Sequence, residues 1–128
     1  MPASSSKVAI IGASVNRSKF GNKAVRAYQN QGWEIYPVHP TLTEIEGLLA
    51  YPSLDAIPER YLDRVLFYVP PEIGVGILDQ IPRKQVDQVW INPGADSPEL
   101  IERAEQLGLN VIQACAIVDI GESPGRYN

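Results

Sequence analysis

Five short runs in this chain are apolar without alternation: "KVAII" (Lys7–Ile11), "EIYPV" (Glu34–Val38), "RVLFYV" (Arg64–Val69), "QVWI" (Gln88–Ile91) and "NVIQA" (Asn110–Ala114). A strand with one wet face alternates polar and apolar residues; a strand covered on both faces does not. These runs therefore predict a parallel sheet with helices on both sides. Few other arrangements can bury so many continuous strands.

The segments between the runs supply the helices. In "FGNKAVRAYQNQG", Phe20, Ala24, Ala27 and Tyr28 share one face, and Gly32 stands where a helix-ending glycine would. "SPELIERAEQLG" carries a fuller signature: Ser97 as N-cap, Pro98 at the first helical position and Glu99 at the positive helix start. Leu100, Ala104 and Leu107 form its buried stripe, and Gly108 ends it. "PEIGVGILDQIP" is a weaker helix, because Gly74 and Gly76 each cost about 1 kcal/mol relative to alanine. Close packing of helix on sheet is the simplest reason for them. Residues 41–60 break the rhythm, with a short strand pair turning near Glu46 and Gly47 and then a helical turn at Ser53–Ile57.

The order of elements predicts an α/β, doubly wound, mostly parallel sheet with right-handed crossovers. With 128 residues the chain makes one domain, 1–128, with loose ends at residues 1–6 and about 121–128. A net charge of −4 argues against a nucleic-acid partner. Neither a signal-peptide pattern nor a membrane-length apolar run is present. Cys115 is the only cysteine, which excludes an intrachain disulfide and a cysteine-built zinc site. A soluble cytoplasmic protein without a membrane partner is the expectation, with a homo-oligomer or a protein partner left open.

In a doubly wound sheet, ligands bind beyond the carboxyl ends of the strands, at the point where the winding reverses. Four strand ends carry unusual residues. After the first comes Gly12-Ala13-Ser14, a turn whose backbone N–H groups, with those near Gly21, can cradle a diphosphate. Arg17 and Lys19 follow as a local cationic spot. The second strand ends in Val38-His39-Pro40, where an NAD-binding domain normally has an Asp or Glu accepting from the ribose. That carboxylate and the GxGxxG spacing are both missing, so NAD is disfavoured; a neutral or cationic end tolerates a phosphorylated ribose better. His39 has no evident nucleophile or carboxylate partner in sequence, and a structural or ligand-edge role fits it better than a general base. The third strand ends in Tyr68-Val69-Pro70-Pro71-Glu72, a stiff apolar wall. The fourth ends in Asn92-Pro93-Gly94-Ala95, a turn that can bring backbone close to a ligand.

In order and spacing, "VAIIGAS", "VHP", "YPSLDAIP", "YVPPE", "VWINPGA" and "VIQAC" resemble the motifs of the CoA-binding domain family. That family includes YccU-like single-domain proteins and the amino-terminal domain of the succinyl-CoA synthetase α-subunit and of ADP-forming acyl-CoA synthetases. The likeness runs from about Lys7 to Cys115. It implies a Rossmann-like fold holding CoA or acyl-CoA across the strand ends. By position, Gly12–Ser14 and the segment Asn16, Arg17, Ser18 and Lys19 would meet phosphates. Val38–Pro40 would lie beside the adenosine, Tyr68–Pro71 along the adenosine–pantetheine path, and Asn92–Gly94 near the pantetheine end.

The pattern departs at His39, where the family often has Asn, and at Tyr68 and Ala114, where it often has Arg. Fewer cations then face CoA's phosphates. The resemblance supplies no catalytic or metal-binding residue: the synthetases use a phosphorylated histidine in a further domain. The expected function is therefore non-catalytic CoA or acyl-CoA binding. The alternatives are a small NADP-linked oxidoreductase, a synthetase subunit that needs a partner chain, and a degenerate domain serving protein interaction. Cys115 is read as a small buried hydrophobe before it is read as a thiol able to form a mixed disulfide with CoA.

Overall fold

A computed structural model describes residues 6–128 of the chain, and the first five residues of the expected loose amino-terminus lie outside it. The apolar runs form the central sheet. Strand β1 (Lys7–Ile11) lies between β2 (Glu34–Val38) and β5 (Tyr61–Phe67), followed by β6 (Gln85–Ile91) and the short edge strand β7 (Val111–Ile112). Every neighbouring pair is parallel. This is the expected doubly wound, Rossmann-like sheet. Pro37 sits in β2, an edge strand of that sheet, where a residue without an N–H is tolerated. Outside β2, Tyr51 adds a bridge, donating its N–H to Pro37 O and accepting from His39 N, each at 2.9 Å.

Both sheet faces are covered. Helix α1 (Phe20–Asn30) and the single turn α4 (Ala116–Asp119) pack Ala24, Val25, Ala27, Tyr28, Ala116 and Ile117 against Val8, Ile10, Leu66 and Trp90. On the other face, α2 (Pro71–Leu78) and α3 (Pro98–Gln106) bring Leu78, Leu100 and Ala104 onto Val65, Phe67, Val89 and Ile91. Alternate residues of β5 thus serve opposite cores, which is why its sequence cannot alternate. Ser97 caps α3 as its sequence predicts, its Oγ accepting from Leu100 N at 3.1 Å. No helix among the described residues is long and apolar enough to cross a membrane.

Several details differ from the sequence reading. Strand β5 begins three residues before Arg64 and stops at Phe67, leaving Tyr68 and Val69 to the loop. The last strand is only two residues long. Phe20 does not share the buried face of α1 but stands 55% exposed, because the chain enters the helix there from the sheet's carboxyl edge. Of the two α2 glycines, only Gly74 packs closely: a Cβ there would lie 3.0 Å from Leu100 Cδ1, whereas none would meet anything at Gly76. The strand pair is real, β3 (Glu44–Ile45) against β4 (Leu48–Leu49), joined by a turn with Glu46 at φ +50° and Gly47 at +79°. Such a turn matches the twist of a tight hairpin.

The tail at residues 121–128 is not loose. It ends in a 3₁₀ turn, Pro124–Tyr127, folded onto α1. Glu122, with its side chain 1% exposed, accepts from Asn30 Nδ2, Gln31 Nε2 and the Tyr127 hydroxyl. Those hydrogen bonds, the one from Tyr127 first, hold its carboxyl down at about 2. Arg26 donates to Tyr127 O and Lys23 to Asn128 Oδ1. Short polar residues, unreadable as a pattern, find their partners on a helix about a hundred positions earlier. Ser6 is likewise held, its carbonyl accepting from Glu34 N at 2.9 Å.

Candidate functional site

The winding of the sheet reverses between β1 and β5, and a cavity of about 610 Å³ opens at the carboxyl ends there. That volume lies within the usual range for small-molecule sites. Four loops line it. Gly12, Ala13 and Ser14 come from the end of β1, with Lys19, Phe20 and Gly21 from the start of α1. His39 and Pro40 follow β2, Tyr68 to Pro71 follow β5, and Pro93 to Ala95 follow β6.

Two glycines make the floor. Gly12 has φ +89°, and a Cβ on it would lie 2.7 Å from Tyr68 O. Gly21 is tighter still: its Cβ would lie 2.1 Å from Gly12 O. The first turn of α1 therefore rests directly on the turn after β1, backbone against backbone. Gly12 N donates to Val38 O, but the amides of Ala13, Ser14, Phe20 and Gly21 have no acceptor among the described residues. The N-cap residue Lys19 provides no capping side chain either. A helix start with free N–H groups and positive dipole beside a glycine turn suits an anion.

The loop between is shaped by its own side chains. Asn16 Oδ1 accepts from Ser18 N and Ser18 Oγ, Ser14 Oγ accepts from Asn16 N, and Asn22 Nδ2 donates to Ser14 O. Arg17 turns away to the hairpin, its Nε and a terminal nitrogen donating to the two Glu46 oxygens at 3.3 and 3.4 Å. Glu46 also accepts from Asn22 Nδ2 at 2.9 Å, and that bond, with the Arg17 charge, lowers its carboxyl below the usual range. Lys19 is the one Lys or Arg among the described residues of the groove wall.

The remaining sequence candidates divide in the same way. Asn16, Arg17, Ser18, Val38 and Asn92 do not line the groove. Val38 and Asn92 are buried, and Asn92 is a brace: Nδ2 donates to Phe67 O and Oδ1 accepts from Ala116 N. Tyr68 lines the wall while its hydroxyl is buried and unpartnered; burial pushes that phenol well above its ordinary value. Cys115, half-buried, is not on the wall. The helix start near Gly21, expected beside the Gly12 turn, does line the groove, as does Ala95, one residue beyond the expected Asn92–Gly94 segment. Phe20 was missed, because an exposed aromatic ring gives no signal.

Geometry and topology together define a Rossmann-like domain with a ligand groove at its switch point. The chain belongs to the CoA-binding domain family, whose profile, described as "CoA binding domain", matches residues 6–121. It is 32% identical over 115 residues to acetate–CoA ligase [ADP-forming] I of Archaeoglobus fulgidus, covering 82% of this chain and 17% of the ligase. It therefore spans only a small part of that relative. It is 26% identical over 113 residues to the uncharacterized protein YneT of Bacillus subtilis, covering 88% of this chain and 83% of that one. A conserved hypothetical protein of Pyrococcus furiosus superposes with a TM-score of 0.81 at 32% identity, covering 89% of this chain and 98% of its own.

Proposed function

We propose that this domain binds CoA or acyl-CoA in the cytoplasm without itself performing chemistry on it. The observation that carries the reading is that Ala13, Ser14, Phe20 and Gly21, whose amides have no acceptor among the described residues, line the groove together with Lys19 where the winding of the sheet reverses. A diphosphate there would accept from backbone donors already in place, so little ordering cost falls on binding. The adenosine side would then run toward His39 and Pro40, and the pantetheine along Tyr68–Pro71 to Pro93 and Gly94. Pro70 and Pro71 offer an apolar, rigid wall with no donor to desolvate. These residues fit CoA as a ligand, with a single ammonium and backbone donors meeting its diphosphate.

Support for a binding rather than a catalytic role comes from the groove wall. Among the described residues it carries no carboxylate, its one hydroxyl of serine type, Ser14 Oγ, accepts from Asn16 N rather than facing a base, and its imidazole has Nδ1 occupied by backbone. A second reading rests on the likeness to part of an acetate–CoA ligase: the domain would be the CoA-holding subunit of a larger assembly. Binding is common to both, so it is the property to measure first. At a ligand concentration about 100-fold above Kd, CoA should stabilise the domain by about 2.7 kcal/mol. A thermal-shift comparison of CoA, acetyl-CoA, NAD and NADP tests this. A larger rise with NAD or NADP than with CoA overturns the reading.

A further inference from the structure

His39 is held in one orientation and one tautomer by its own turn. Its Nδ1 accepts from Thr41 N at 3.1 Å and from Leu42 N at 3.0 Å. A ring nitrogen facing two N–H donors uses its lone pair and carries no hydrogen, so the ring proton of the neutral imidazole sits on Nε2. Nε2 lies on the opposite edge of the ring and has no partner among the described residues, and His39 lines the groove. The end of the second strand therefore presents a fixed donor. Dinucleotide-binding domains present an acceptor there, to receive the hydrogen of a ribose hydroxyl.

We propose that His39 is a specificity-determining residue, its Nε2–H selecting a ribose that carries a phosphomonoester over one with a free hydroxyl. This deepens the CoA reading and rests on it. A phosphomonoester offers only acceptors and negative charge at neutral pH, and a donor of fixed direction bonds it well. A free ribose hydroxyl meets the same donor with a weaker, neutral bond. Because two backbone amides hold the ring, no side-chain freedom is lost when the ligand arrives.

Two variants that keep an acceptor for the turn separate the donor from the turn. In His39→Asn, Oδ1 can accept from the Thr41 and Leu42 amides, as Asn does in such turns, while Nδ2 keeps a donor. In His39→Asp the same acceptor remains, but the free edge is a carboxylate oxygen. Calorimetry with CoA and 3′-dephospho-CoA should show the wild type favouring CoA by at least about tenfold, or about 1.4 kcal/mol. His39→Asn should keep that preference and His39→Asp should abolish it, losing CoA affinity while dephospho-CoA binds as before. Equal affinities in the wild type, or a preference that survives in His39→Asp, overturn the inference and leave CoA binding standing. Binding of neither nucleotide by the wild type overturns the CoA reading and this inference together. Independently, a long-range ¹H–¹⁵N spectrum of the free protein should show the Nε2–H tautomer; an Nδ1–H ring overturns the donor assignment.

Discussion

Gly21→Ala is the smallest change that tests whether α1 and the β1 turn are built as one unit. The added methyl carbon would lie 2.1 Å from Gly12 O and 2.9 Å from Gly12 C. Real Cβ atoms essentially never approach closer than 3.0 Å, and both obstructing atoms are backbone, so no rotamer change relieves the contact. The first turn of α1 must retreat by close to an ångström, lifting Ala24 and Ala27, both fully buried, off Val8 and Ile10. Overpacking usually costs about 1–3 kcal/mol. With no flexible partner the cost should sit at the upper end, about 3 kcal/mol. For a domain of this length that lowers Tm by about 10 °C.

Gly76→Ala is the matched control. That glycine is helical, exposed and has nothing within 4 Å of a new Cβ. Alanine there should stabilise by up to about 1 kcal/mol, or about 3 °C. Thermal and urea unfolding of both variants measures the contrast. If Gly21→Ala melts within about 3 °C of the wild type, the close contact is not rigid and the reasoning fails.

The two cations of the β1 loop should behave differently. Lys19→Ala should weaken CoA binding by about tenfold or more and flatten its salt dependence, whereas Arg17→Ala, with its charge already on Glu46, should change affinity by less than about threefold; calorimetry at two ionic strengths compares them. Glu122, whose carboxyl is held near 2 in the folded chain, contributes stability that is complete above its ordinary value of 4.5. It is lost as pH falls from there through about 2. Urea midpoints measured between pH 6 and 2.5 should fall less steeply in Glu122→Gln than in the wild type; an unchanged slope would mean that the carboxylate clasp does not hold the tail.

The fold was legible because burial on two faces leaves its mark on composition. Val8 to Ile11 could not be apolar throughout and lie on a half-wet sheet. Ser97, Pro98 and Gly108 punctuate α3 by rules that act within four residues, which a sequence displays directly. The tail was illegible for the opposite reason. Glu122 is a surface residue by type, and only its bonds to Asn30, Gln31 and Tyr127 make it a buried one. The ends of β5 and β7 were also misplaced, since strand length depends on what the neighbouring strand offers.

The candidate site shows how far such legibility reaches. Backbone features came through, because glycine and proline declare their conformations wherever they stand: Gly12, Pro70, Pro71 and Gly94 all line the groove. Polar side chains came through less well: Ser14, Lys19 and His39 line the groove, but others had competing partners. Arg17 reads as a phosphate ligand until Glu46, 29 residues on, is found holding it. Asn92 reads as a ligand contact until Phe67 and Ala116 claim both ends of its amide. Among the described residues the groove then offers mostly main-chain N–H, with the Lys19 ammonium, the Ser14 hydroxyl and one imidazole edge. A groove of that kind owes its geometry to packing. Replacing the Gly12–Gly21 contact should therefore damage ligand binding and stability together, whereas Lys19→Ala and the His39 variants should reach binding alone.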